Sequence, residues 1–142
     1  MNGKEAIKAA LEATRFTFNW YVQDLSDSDL FVRPAPNANH IAWQLGHVIA
    51  ADRILVTRQL HDVTYPNVPP GFLEAHSKDG STKQGPEGFL TKVEYLSLFD
   101  RVRAATIGAL DALSDADLDR PAVGKTATFA PTLGHVFLLV SN

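Results

Sequence analysis

The sequence predicts an all-α fold, a four-helix bundle with a long crossover between its second and third helices. Three observations predict it. Long segments carry apolar residues at three- and four-residue spacing, and strand-type alternation is absent. Of the 9 glycines and 8 prolines, eight fall between Pro66 and Gly88, so one long connection interrupts the helical pattern. The first helix runs from Lys4 to Leu25 on Ile7, Leu11, Thr14, Phe18, Tyr21 and Val22, and stops at the turn-favouring Ser26-Asp27-Ser28-Asp29. Pro34 and Pro36 keep the next stretch out of a helix. The second helix opens near Asn37–Asn39, asparagine being a good N-cap, and continues through Ile41, Leu45, Val48, Ile49 and Leu55 to about Leu60. The crossover has room for one helical turn, near Phe72–His76. Thr91-x-x-Glu94 is a capping box that starts the third helix before Leu96, Phe99, Val102, Ala109, Leu110 and Leu113. The fourth begins near Thr128, with Pro131 in its first turn.

The chain also repeats itself. Leu25-Ser-Asp-Ser-Asp-Leu30 returns as Leu113-Ser-Asp-Ala-Asp-Leu118, and Leu45-Gly-His-Val48 returns as Leu133-Gly-His-Val136. Both pairs are offset by 88 positions (113 − 25 and 133 − 45). The sequence therefore divides into two helix–loop–helix halves within a single domain over residues 1–142, with His47 and His135 at equivalent positions, a symmetry that allows both to face the bundle interior.

Composition excludes several functions. A net charge of −3, with 13 Lys+Arg against 16 Asp+Glu, gives no basic footprint for nucleic acid. Zero cysteines exclude a disulfide scaffold, a thiolate–metal site and a cysteine nucleophile. No apolar stretch suits a membrane span, and no apolar signal follows Met1, so a cytoplasmic protein without membrane or nucleic-acid partners is expected.

Five histidines are the principal candidates for chemistry: His40, His47, His61, His76 and His135. His40 and His47 lie two turns apart, about 10.5 Å along the axis. Metal–nitrogen bonds of about 2.0–2.1 Å forbid their sharing one ion. His47 is the better ligand because it stands mid-helix, where both ring nitrogens must be satisfied; a partly buried histidine bonded to water or to a neighbouring helix is the alternative. His40 in the first turn is expected to be exposed, His61 to sit at the end of the second helix, and His76 to lie in the crossover. The aspartates of the two acidic turns are helix caps; Asp24 and Asp52, near the apolar faces of the first two helices, are expected to be solvated charges, with hydrogen-bonding support of a site residue the alternative; Trp20 and Trp43 are expected in the core.

Pro34-x-Pro36-x-Ala38-Asn39-x-Ile41-Ala42-Trp43-Gln44-Leu45-Gly46-His47-Val48-Ile49-Ala50-Ala51-x-Arg53 resembles the second helix of the DinB superfamily. The acidic turn before it and the stretch Tyr95 to Leu118 resemble that family's other helices, so the likeness covers nearly the whole chain. The resemblance implies a long-crossover bundle, often dimeric, that binds zinc or nickel through three histidines. His47 matches the ligand of the second helix. The other two come as His-x-x-x-His on the fourth helix, at positions that would follow Asn142. The chain accordingly reads as truncated inside the fourth helix, with one of three ligands retained, and His135 is expected to cap or to be partly exposed. The function so implied is that of a divalent-metal protein, a metal-dependent hydrolase or a transferase using a low-molecular-weight thiol, acting on a small-molecule substrate as a homodimer. The alternative is a metal-free bundle that acts by dimerisation or by binding a partner or small molecule.

Overall fold

The computed structural model describes residues 1–82 and 87–142. Helix α1 spans Gly3–Val22, α2 Ile41–Thr57, α3 Phe72–Ala75, α4 Lys92–Asp111 and α5 Leu133–Ser141. Among the described residues no strand forms; one antiparallel bridge joins Pro121 to Thr132. No helix among them is long and apolar enough to cross a membrane.

Local signals set most of the boundaries. Asn2 and Glu5 form a reciprocal capping box on α1, and Thr91 and Glu94 form the expected one on α4. The single turn α3 lies where the crossover was expected to hold one. Two starts differ from expectation. Helix α2 is capped by His40, whose Nδ1 accepts from the Trp43 N–H at 3.0 Å, because the Ala35–Ala38 turn holds the asparagines outside the helix. Helix α5 begins at Leu133 behind Thr132, not near Thr128, so Pro131 precedes it. There the Pro131 carbonyl accepts from the Ala122 N–H and the Leu133 N–H donates to the Arg120 carbonyl, both at 2.9 Å. Those bonds hold the chain extended and delay the helix by about one turn.

Helix α1 packs on α4 and α5, and α2 packs on the same two, so α1 and α2 stand across the bundle from each other. Leu11, Ile49, Val56, Val102, Leu110 and Phe137 meet in the core with no exposed surface. Trp20, expected inside, is 53% exposed, and Tyr21 is likewise outside. The inward stripe of α1 is Ile7, Leu11, Phe18 and Val22, and residue 20 falls off it.

The repeat is written into the contacts. Asp115 accepts from the Lys4 backbone N–H at 2.9 Å, and Asp27 accepts from that of Lys92 at 2.7 Å. Lys4 Nζ donates to the carbonyls of Asp111 and Leu113, and Lys92 Nζ to those of Gln23 and Leu25. Every residue in the first set is 88 positions from its counterpart in the second (92 − 4, 115 − 27, 111 − 23, 113 − 25). Each acidic turn therefore caps the start of the long helix of the other half, with the carboxylate at the positive end of its dipole. Asp29 and Asp117 instead close their own turns on Ser26 and Ser114, and these backbone bonds hold both carboxyls below their usual range.

At the centre of the bundle lies an ion pair. Asp52, expected to be solvated, is buried and pairs with Arg103, whose Nε and Nη2 donate to its two oxygens at 2.8 and 3.0 Å. Arg103 also donates to the carbonyls of Leu11 and Val140 and to Thr14 Oγ1, so one guanidinium binds α1, α2 and α5 to α4. Thr106 adds a hydroxyl donor to Asp52 at 3.2 Å and exchanges a bond with the Tyr65 hydroxyl.

Candidate functional site around His47

His47 stands on the outer side of α2 and its ring is exposed, contrary to an interior position. Two contacts fix it. Nδ1 lies 2.9 Å from the His76 carbonyl, and since a carbonyl only accepts, Nδ1 carries the proton and donates. The ring stacks on Trp43, centroids 4.4 Å apart and planes 14° from parallel. Trp43, half-buried, is anchored in turn by Nε1–H donating to the Ser77 carbonyl at 2.8 Å. With Nδ1 donating to that carbonyl, Nε2 is the ring nitrogen left without a protein partner. The ring borders a pocket of about 440 Å³ floored by Ala50, Ala51 and Ile54 and walled by Leu73 and Leu139.

The crossover supplies the tether, and one glycine admits it. His76 is fully buried, its Nδ1 donating to the Phe72 carbonyl at 2.7 Å and its Nε2 accepting from the Tyr95 hydroxyl at 2.6 Å. The ring lies against Gly46, and a Cβ there would occupy the place of its Cδ2, Cγ and Nε2. The Gly46-His47 pair thus has two linked tasks: the glycine admits His76, and the His76 carbonyl orients His47.

Burial pulls the His76 imidazole from its ordinary 6.5 to about 4, against the Phe72 bond, with His40 and His47 assisting. The unfolded chain binds a proton near pH 6.5 that the folded chain refuses until about pH 4, so acidification favours unfolding across that window. Stability is expected to fall by about 3 kcal/mol from this group between those limits, at about 1.4 kcal/mol per pH unit, and to be indifferent to it above the window. Denaturant titrations at pH 7 and pH 5 check this. The loss should be smaller by about 2 kcal/mol in His76→Gln; equal losses in both proteins would refute it.

The other candidates do not join His47. His40 is buried under Phe31 and Phe89 and serves as the α2 cap, with burial first and then Arg33 pulling its imidazole down. Its exposure was expected from its first-turn position, but the aromatic side chains of the crossover and of the preceding turn cover it. His61 is exposed beyond the end of α2, and Asp24 is exposed after α1. His135 is exposed, its Nδ1 2.7 Å from Thr132 Oγ1 at the α5 cap. The sequence places His76 only in the crossover, and nothing in its local sequence signals its burial or its service to His47. Among the described residues no three His, Cys, Asp or Glu side chains are grouped to hold a metal ion. Both nitrogens of His76 are engaged, so His47 Nε2 is the donor the pocket offers.

No curated protein and no solved structure matches the chain. A family model does, over residues 10–142, which includes α1 from its middle onward, the Gly46-His47 helix, the crossover and both acidic turns. The all-helical fold and that match agree, and this chain belongs to the DinB superfamily.

Proposed function

We propose that this protein acts at the His47 pocket, and that His47 Nε2 is the donor it offers to a divalent metal, zinc or nickel. The observation that carries this is the tethered ring. A backbone carbonyl holding Nδ1–H fixes the tautomer and aims the opposite nitrogen outward, the arrangement that supports metal-ligating histidines generally. Membership of a metal-associated superfamily supports it further. Hydrolysis and transfer from a low-molecular-weight thiol are the reaction classes that go with the proposal, with a homodimer as the working form. The described residues by themselves do not fit a three-histidine centre, since at this pocket they supply one free imidazole nitrogen, that of His47.

The test is calorimetric titration of zinc and nickel into the protein and into His47→Ala. Uptake at one site is expected in the parent and lost in the variant, whose melting temperature should move by less than about 2 °C because the ring is exposed. Equal uptake by both proteins, or none by either, would sink the metal assignment. A second reading then takes over, a metal-free bundle that works by binding a small molecule or a second copy. It is favoured by the exposed apolar side chains of Leu73, Phe129 and Leu139 at the pocket.

A further inference from the structure

The floor of the His47 pocket is one stripe of α2. His47, Ala50, Ala51, Ile54 and Arg58 follow at the three- and four-residue steps that align on a helix, so His47 and Arg58 lie at opposite ends of a groove about 16 Å long. The middle of the floor is open because Ala50 and Ala51 are small, and the walls are apolar. At the far end the groove meets a second pocket of about 290 Å³, which shares Arg58 and adds Lys125.

The charge of this surface runs against that of the protein. The chain carries 16 acidic residues against 13 basic ones, yet neither pocket is lined by a carboxylate. Among the described residues, neither Arg58 nor Lys125 has an ion-pair partner. Two cations at one end, apolar walls along the length and no negative charge describe a receptor for an amphipathic anion. A guanidinium prefers a planar, two-oxygen partner, which a carboxylate provides.

We propose that the groove binds a single-tailed carboxylate, its head between Arg58 and Lys125 and its apolar tail lying over Ala50 and Ala51 toward His47. This names the ligand class for the pocket of the preceding proposal but does not depend on a metal there. The tail covers the outward faces of Leu73, Phe129 and Leu139, which otherwise meet water. The head exchanges hydration for two charged donors at the rim.

The experiment is calorimetry with decanoate, below its micelle-forming concentration and in excess EDTA, on the full chain. Decyltrimethylammonium, which has the same tail and the opposite charge, and acetate, which has the head without the tail, are the comparison ligands. One decanoate per chain is expected, with both comparison ligands weaker by about tenfold or more. Arg58→Gln and Lys125→Gln should each weaken decanoate by about threefold to tenfold, with melting temperature unchanged, since both side chains are exposed. Ala51→Phe, which fills the floor, should abolish binding while far-ultraviolet circular dichroism stays helical. Decanoate binding no better than its cationic counterpart, or unaffected by Arg58→Gln, overturns the proposal. So does binding that appears only when EDTA is replaced by zinc, because the anion would then be a metal ligand. Failure of zinc uptake at His47 leaves the decanoate result readable, and the two proposals fail separately.

Discussion

Asp52→Ala is expected to destabilise the fold by about 3–5 kcal/mol and to lower the melting temperature by roughly 10 °C or more. The loss comes from the partner left behind. Arg103 is 1% exposed, and without the carboxylate its charge stays in the core with only carbonyl and hydroxyl acceptors. Burial pushes the Asp52 carboxyl up, and Arg103 opposes that push through charge and two hydrogen bonds. Those bonds offset the desolvation of both ions, and removing one ion withdraws the offset. Replacing both residues, as Asp52→Leu with Arg103→Met, should recover most of the loss, because matched apolar side chains need no such offset. Paired denaturant titrations of the two singles and the double decide the matter. A double mutant as unstable as the sum of its singles would show that the pair does not act as a unit.

Gly46→Ala is expected to cost about 2 kcal/mol or more and to disorganise the site together with the fold. Alanine would gain about 1 kcal/mol in helix propensity over glycine. The added methyl, however, meets the His76 ring itself, not a yielding side-chain end, and that ring is held at both nitrogens. Overpacking of a fixed neighbour costs about 1–3 kcal/mol, more when hydrogen bonds must break with it. The His76 carbonyl should then leave His47 Nδ1, visible as a changed tautomer in nitrogen-15 spectra of the His47 ring. Gly108 is the control. It is exposed within α4 with nothing within 4 Å of an added Cβ, so Gly108→Ala should stabilise by up to about 1 kcal/mol. Equal effects at the two glycines would refute the packing role of Gly46.

Much of the fold was legible because its signals are local. The Thr91–Glu94 box and the acidic turns bond residues three apart, and the caps form whatever the helices later pack against. The repeat was legible through its two repeated peptides, and its physical meaning lay in Lys4 and Lys92, which obey the same offset and which the turns capture. The burial of Asp52 and Arg103 leaves a trace in the sequence, though not one that distinguishes it from a solvated charge. Asp52 continues the stripe of Leu45 and Ile49 toward Val56, and Arg103 lies beside Val102 and Thr106, also on an inward stripe. Each residue alone looks like a surface charge; only together do they make a core. His76 left no trace at all, since a histidine in a proline-rich crossover carries no periodicity.

For the site, the sequence singled out His47 and its glycine, and tertiary structure decided what they do. Helices, caps and the twofold repeat of this chain follow from bonds between near neighbours and from spacing along one strand of sequence. Which stripe faces which helix, and what the crossover lays over them, depends on residues far apart in the chain, 29 positions for His47 and His76 and 92 for Leu11 and Arg103. Such pairings arise from packing whole helices together. A sequence can nominate a residue by its place on a helix, but the partner that buries it, charges it or aims its ring is chosen only when the faces meet.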